Sequence, residues 1–348
     1  MAAAARGPCP SLLDYRTAKL ALTRNRRVGG LHRLLQLAVL GYLLGWVLLA
    51  RKGYQDTDPA PRAALLAKMK GAAVAAGGGR LWDPADYGWG PPGENGLFLV
   101  TNFIATAQQS QGSCPESPAV PDALCSEDAD CPVGNSVPHG NGIKTGKCVV
   151  FNSSHSTCEI YGWCPRGDSP WLLCAIGVHW SLFSRKPLLA QAENLTLFIK
   201  NTVHFTKFNV SRCNALQTND STYFKTCTYD PSLSPFCPVF RVRDVLEAAG
   251  ETFDDFALLG GSISIRIKWD CDLDRPAAQC QPQYSFSLQD RGYNFRTASY
   301  YWDSQRRLSR TLLKLHGIRF DISVYGQAGK FSIIPAAVSF GTGIAFFG

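Results

Sequence analysis

Apolar and polar positions alternate with a period of two in four stretches of this chain, Leu97–Phe103, Thr196–Ile199, Ile263–Trp269 and Ile318–Val324. That period predicts half-buried β-strands. The clearest is Ile263-Ser-Ile-Arg-Ile-Lys-Trp269, which sets Ile263, Ile265, Ile267 and Trp269 on one face. Only Arg241–Ala249 reads as a short helix, ending at Gly250. Two segments break the alternation by being apolar throughout. Leu34–Ala50 carries no charge over 17 residues, near the lower limit for a membrane-spanning helix. Phe331–Gly348 is uncharged over 18 residues. As a helix it would run roughly 27 Å, and its length favours a membrane segment over a buried strand. A third apolar stretch, Trp171–Phe183, is too short to span a bilayer.

Charge gives the first segment a direction. The net charge of +8 lies wholly within residues 1–52, where nine basic side chains face one acid, Asp14; the rest of the chain is neutral. A neutral remainder offers no footprint for a phosphate backbone, so nucleic acid is not expected as a partner. The apolar run starts more than thirty residues in and has no small-residue cleavage site before Arg51 and Lys52. It therefore reads as an uncleaved anchor rather than a removed signal. Arg24, Arg26, Arg27 and Arg33 outnumber the two cations beyond it, which places the N-terminus in the cytosol.

Twelve of the thirteen cysteines lie after residue 110, beyond the anchor. Such density belongs to an oxidising compartment, where cysteines become cross-links. Six fall between Cys114 and Cys164 amid Gly, Pro, Asn and Ser, which predicts a loop-rich subdomain held by three bridges. Cys227/Cys237 and Cys271/Cys280 are each spaced to close a small hairpin, and neither spacing is that of a zinc site. Cys9, Cys174 and Cys213 are left over. Sequons at Asn152, Asn194, Asn209 and Asn219 all fall on the side the cysteines mark as extracellular.

Catalytic patterns are missing from the sequence: there is no phosphate-binding P-loop, nucleophile elbow or paired-histidine zinc helix. What remains are basic groups at strand spacing. Lys68 and Lys70 are two apart, as are Asn294 and Arg296, and Lys314 precedes the strand at Ile318. A strand aims such pairs to one side, where two like charges repel unless an anion neutralises them. A triphosphate suits them, with lysines as point charges and arginine as a planar fork. A solvated basic strand face is the plainer reading of the spacing alone. Arg166-Gly167-Asp168 matches an integrin-recognition tripeptide.

Taken together, these residues resemble the P2X purinoceptors, the trimeric ATP-gated cation channels of animal membranes. The likeness runs from Leu13-Asp14-Tyr15-x-Thr17-x-Lys19 through Arg24-Asn25-x-x-Val28-Gly29, Gly53-Tyr54-Gln55 and Lys68-x-Lys70-Gly71. It continues through the cysteine framework, Cys237-Pro238-Val239-Phe240, Trp269-x-Cys271-Asp272-Leu273-Asp274, Tyr293-Asn294-Phe295-Arg296 and Gly317-Ile318-Arg319-Phe320-Asp321. Within the family the sixth subtype is the most similar, at Ser262-Ile263-Ser264-Ile265-Arg266 and Gly326-Gln327-Ala328-Gly329-Lys330.

The resemblance implies a membrane protein with a cytosolic tail (1–30), a first transmembrane helix (31–50), a β-rich disulfide-stapled ectodomain (51–330, its cysteine-rich head at 114–164) and a partial second transmembrane helix (331–348). It implies a plasma-membrane subunit of an ATP-gated non-selective cation channel, working as a homo- or heterotrimer. ATP would be a ligand rather than a substrate, and no cofactor is implied. Lys68, Lys70 and Thr196 would come from one subunit and Asn294, Arg296 and Lys314 from its neighbour. The cations would hold phosphate oxygens, and Thr196 would hydrogen-bond the adenine. The implied disulfides are Cys114–Cys164, Cys125–Cys148, Cys131–Cys158, Cys227–Cys237 and Cys271–Cys280. Thr342 and Ala345 match positions on the pore-facing side of the second helix. Residues 166–186 are longer than the family's usual link, and the chain stops near where the family places its gate. Two further readings follow from these departures: a non-conducting subunit that assembles with complete ones and modulates their currents, and an adhesion ectodomain using Arg166-Gly167-Asp168.

Overall fold

A computed structural model describes residues 26–75, 81–89, 96–165, 187–215 and 222–345. The chain divides into two compact units, one made of residues 1–57 and 329–348 and the other of residues 58–328. Fifteen strands lie among the described residues. In chain order they are β1 (Gln55–Asp58), β2 (Arg62–Lys70), β3 (Ala73–Val74), β4 (Leu81–Trp82), β5 (Gly88–Trp89) and β6 (Gly96–Pro115). Next come β7 (Gly142–Val150), β8 (Ser156–Cys164), β9 (Thr196–Phe205), β10 (Val210–Cys213) and β11 (Val239–Arg241). The last are β12 (Gly261–Asp272), β13 (Pro282–Arg291), β14 (Asn294–Trp302) and β15 (Leu308–Phe331).

The smaller unit is built on two apolar helices. An α-helix over Arg26–Gly41 passes directly into a π-helical stretch, Tyr42–Ala50. Its Gly30–Leu48 portion, 19 residues with a mean hydropathy of 1.5 and none of it buried, is long and apolar enough to cross a membrane. The C-terminal apolar run forms the helix Ile333–Ala345, although Phe331 still belongs to β15. The residues just after the first helix meet the start and middle of the second. Ser339 Oγ donates to the Gly53 carbonyl at 2.9 Å, Ser332 N donates to the Tyr54 carbonyl at 3.2 Å, and the Tyr54 and Phe331 rings lie 6.2 Å apart.

The larger unit is a nine-stranded sheet facing a four-stranded one across a shared core. The large sheet runs β13-β12-β15-β6-β8-β7, with β1 and β14 also paired to β15 and β5 to β6. The small sheet runs β10-β9-β11, with β2 on the other side of β9. Strict alternation explains why they stack. On β9, Leu197, Ile199, Val203 and Phe205 are fully buried; on β12 so are Ile263, Ile265, Ile267 and Trp269. Ile318, Phe320 and Ile322 of β15 join the same core, as do the short helices Val242–Ala248 and Phe253–Leu259. Burying each such aliphatic side chain stabilises the fold by about 1.5–3 kcal/mol.

One polar position interrupts the inner face of β9, and its groups are all paired. The buried Asn201 accepts from Trp269 Nε1 at 2.8 Å and donates through Nδ2 to the Ala64 carbonyl of β2 at 3.2 Å. Its backbone exchanges bonds with Asn214, whose Nδ2 donates to the Ile199 carbonyl at 2.8 Å and to the Tyr284 hydroxyl at 3.0 Å. Burial pushes the Tyr284 hydroxyl up to about 12, so it stays protonated. The network ties β2, β9 and the segment after β10 to β12 and β13.

The four strands expected from alternation all lie within observed ones, but the observed strands are longer. Leu97–Phe103 is one end of β6, which spans 20 residues, and Ile318–Val324 is the middle of β15, which spans 24. Their outer halves carry polar runs such as Gln108-Gln109-Ser110, which pair through the backbone without showing an apolar face. The 114–164 segment is also more regular than a loop-rich subdomain, because β7 and β8 form a ladder against the end of β6. The expected helix is observed over Val242–Ala248, with Arg241 extended before it and Gly250 at φ +82° after it.

Five disulfides form, Cys114–Cys164, Cys125–Cys148, Cys131–Cys158, Cys227–Cys237 and Cys271–Cys280, the pairs the resemblance implies. Cys213 is free and half-buried; Cys9 and Cys174 lie outside the described residues. The prediction from this packing concerns the polar seam. Asn201→Leu leaves the buried Trp269 Nε1 without its partner, at a cost of about 1–3 kcal/mol. The thermal unfolding midpoint of the purified protein should fall, and an unchanged midpoint would show that these bonds carry no weight.

Candidate functional site

The first cluster is set by the register of β2 against β9. Met69 turns inward and is 8% exposed, so Lys68 and Lys70 on either side of it both project outward. Lys70 lies directly opposite Thr196, and Lys68 opposite Phe198. All four side chains thus share one face. Lys70 Nζ sits 4.8 Å from the centre of the Phe198 ring, a cation–π distance. Thr196 Oγ1 donates to the Lys70 carbonyl at 3.4 Å, a long bond that leaves the hydroxyl easily redirected. Phe198 in turn meets Phe224 edge-on at 6.0 Å, and Phe224 meets Tyr223 at 5.3 Å. Among the described residues neither lysine has a carboxylate partner.

The second cluster is set by the β14–β15 ladder. Asn294 pairs with His316 and Arg296 with Lys314, which puts these four on one face. Asn294 is held by a bond from its Nδ2 to the Gly292 carbonyl at 3.0 Å, while Arg296 is exposed. The opposite face anchors the hairpin. The Phe295 ring packs 4.9 Å from Phe98 and 6.1 Å from Trp89, and Tyr293 packs 5.5 Å from Phe98. Arg319 stacks over Tyr293 at 5.4 Å, donates to its hydroxyl at 2.9 Å and pairs with Asp321 Oδ1 at 2.8 Å. Hydrogen bonds to Asp321 and Tyr293 hold that guanidinium in its charged form.

The β15–β6 ladder shifts register at His316/Gly317, where the backbones come close. A Cβ at Gly317 would fall 2.0 Å from the Leu99 carbonyl, so only glycine fits. His316 beside it is half-buried, and among the described residues neither ring nitrogen makes a hydrogen bond of ordinary geometry. Burial lowers its pKa; the Lys314 charge adds to that, and the Leu259 backbone opposes it.

Lys68, Lys70 and Thr196 therefore come together on one sheet, and Asn294, Arg296 and Lys314 on the other. Among the described residues no hydrogen bond or ion pair joins the two groups. Each group presents two cations with neutral hydrogen-bonding side chains, an arrangement suited to a multiply charged anion such as a polyphosphate. Sequence reasoning missed Phe198 and His316. Both sit at the same two-residue spacing as the residues it found, and the alternation alone could have included them.

Other expected sites are placed less completely. Asn152, Asn194 and Asn209 are exposed, and Asn219 lies outside the described residues, as do Arg166, Gly167 and Asp168. Thr342 is exposed on its helix, with its hydroxyl donating back to the Val338 carbonyl at 2.9 Å and the Ser339 carbonyl at 3.0 Å. Ala345 is the last residue of that helix. The sulfurs of Cys125, Cys131 and Cys158 lie within 4.8 Å of one another, but all three belong to disulfides and offer no thiolate to a metal.

The sequence profile of the family described as ATP P2X receptor matches residues 13–348. P2X purinoceptor 6 of Mus musculus is 56% identical over 339 residues, covering 97% of this chain and 84% of its own. P2X purinoceptor 5 of Homo sapiens is 44% identical over 358 residues, covering 99% and 78% respectively. Among solved structures, a P2X receptor from the Gulf Coast tick, crystallised in the presence of ATP and Zn2+, superposes with a TM-score of 0.78 at 37% identity. The match covers 90% of this chain and 96% of the tick chain. The chicken ATP-gated P2X7 receptor channel, crystallised with the competitive antagonist TNP-ATP, gives 0.75 at 33% identity, covering 92% and 94%.

The buried imidazole generates a pH prediction. Because the folded state lowers the His316 pKa, the unfolded chain takes up the proton more readily, and stability rises with pH. The contribution is complete above the ordinary value of 6.5 and is lost as pH falls below it. Thermal midpoints measured across that range should decline on acidification, and His316→Phe should flatten the decline. A variant profile parallel to the parent's would exclude His316 as the cause.

Proposed function

This chain belongs to the P2X receptor family, and on that premise we propose that it acts as one subunit of an ATP-gated, non-selective cation channel of the plasma membrane. Extracellular ATP is the ligand and is not turned over. It binds between subunits, with Lys68, Lys70 and Thr196 from one copy and Asn294, Arg296 and Lys314 from the next, in a homo- or heterotrimer. The observation that carries this reading is the division of the cations. Among the described residues each sheet presents an unneutralised pair, and a triphosphate that touches both must bridge two surfaces.

Bridging is also what gating requires. A ligand shifts an equilibrium only by its difference in affinity for the two states. Contacts made to two bodies at once favour the arrangement that brings those bodies into reach. Lysine ammonium groups follow the phosphate oxygens as mobile point charges, while Arg296 offers a planar fork. Phe198 and the Thr196 hydroxyl suit the base, one by its ring face and the other by a hydrogen bond. The helix Gly30–Leu48 crosses the lipid bilayer with the basic N-terminus in the cytosol, and the bulk of the chain is extracellular. The stapled ectodomain, with its exposed sequons at Asn152, Asn194 and Asn209, fits that compartment. No cofactor, metal or nucleic acid enters this reading.

Patch-clamp recording of cells making the chain tests it. ATP should evoke a cation current, from the chain alone or with a partner subunit of the family. Lys68→Ala and Lys314→Ala should each shift the ATP response by about tenfold or more, as expected for a lost charge-assisted hydrogen bond. If surface-expressed variants respond to ATP like the parent, the assignment of these residues fails.

A further inference from the structure

The cationic face of the small sheet extends beyond the two lysines. Along β2 the outward positions are Arg62, Ala64, Leu66, Lys68 and Lys70, and along β9 they are Thr196, Phe198, Lys200, Thr202 and His204. The far side of β9 adds β11, where Val239 lies opposite Phe198 and Arg241 opposite Thr196. No carboxylate occupies this face among the described residues. Lys70, Thr196 and Arg241 consequently form one row across three strands, with side chains spaced about 5 Å apart.

Arg241 is exposed, and among the described residues its guanidinium has no hydrogen bond, ion pair or ring contact. The contrast with Arg243, two residues on, is informative: that guanidinium is paired with Glu193. The backbone under Arg241 is nonetheless fixed. It is the last residue of β11, the next residue's N–H donates to the Leu195 carbonyl at 3.0 Å, and the helix Val242–Ala248 follows at once. Its side chain plays no part in capping that helix. A free guanidinium on a rigid mount beside a hydroxyl, an aromatic ring and the buried Val239 suits a heterocyclic base better than it suits a phosphate.

We propose that Arg241 is a further nucleotide-binding residue, contacting the base of ATP on the side of Thr196 away from Lys70. This rests on the reading that the Lys68–Lys70–Thr196 face is the ATP site. Lys68 and Lys70 take the phosphates as point charges, and Arg241 supplies a planar group that hydrogen-bonds or stacks on the base. The residue is then a determinant of which base is accepted, not only of overall affinity.

Competition binding against a fluorescent ATP analogue, on the assembled receptor in membranes, tests the assignment with ATP and inorganic triphosphate as competitors. Arg241→Ala should weaken ATP by about tenfold, the scale of one charged hydrogen bond, and leave inorganic triphosphate little changed. Arg241→Lys, which keeps the charge but loses the fork, should also weaken ATP. Equal loss for both competitors, or none for ATP, overturns the proposal. If Arg241→Ala does not reach the surface, Arg241→Lys and Arg241→Gln decide by the same comparison. Lys70→Ala run in parallel separates the two levels of the argument. ATP affinity unchanged by Lys70→Ala sinks the site itself, whereas ATP affinity sensitive to Lys70 but not to Arg241 sinks only this inference.

Discussion

The packing of the inner face of β9 against β12 is the contact on which the rest of the ectodomain's chemistry depends. Side chains on a strand alternate strictly, so burying Leu197, Ile199, Val203 and Phe205 forces Thr196, Phe198 and Lys200 to the other side. A slip of one residue would exchange the two sets and bury the cationic face. The bond from Trp269 Nε1 to Asn201 opposes that slip, because only one register brings the indole and the amide together. The same asparagine reaches the Ala64 carbonyl of β2, so the strand bearing Lys68 and Lys70 inherits its register from the core. The position of two surface lysines is thus fixed by a fully buried tryptophan.

The second cluster achieves the same end with aromatic rings and a paired cation. Asn294 and Arg296 point outward because Phe295 between them is held by Phe98 and Trp89. The Arg319–Asp321 pair, stacked and bonded to Tyr293, fixes the start of the hairpin. An exposed ion pair alone would contribute little. Here it is partly buried and joined to a ring, so its role is geometric. Each of these strands therefore has one face that packs and one that carries the outward cations, and the packed face determines the aim of the other.

Much of this is legible in the amino-acid sequence. The anchor shows because 17 uncharged residues sit beside a cluster of arginines, and the ectodomain because its cysteines and sequons share one side. The buried faces of β9 and β12 show because they alternate. The length of β6 and β15 was not legible, since Gln108-Gln109-Ser110 pairs through its backbone and carries no apolar signal. Nor was the polar seam, because an asparagine within a strand reads as a break until its partners Trp269 and Ala64 are known. Arg319 and Asp321 were visible as part of a motif, but only the distance to the Tyr293 hydroxyl gives them a task. Periodicity reports which side a residue faces, and it is silent about what waits there.

The strand that holds Lys314 also bears on how a pull on the sheet is transmitted. β15 carries Lys314 near its start and continues without interruption to Phe331, two residues before the helix Ile333–Ala345. An extended strand is stiff along its length, because its backbone has little slack left to take up. Lateral bonds to β14 and β6 keep the Lys314 half of β15 from peeling away under load. A pull applied at the Lys314 end therefore travels along covalent bonds rather than through contacts that can slip. What the sheet supplies is then not flexibility but its absence: the strand that carries Lys314 is held by a neighbour on each side, and it leads in sequence to the apolar helix Ile333–Ala345.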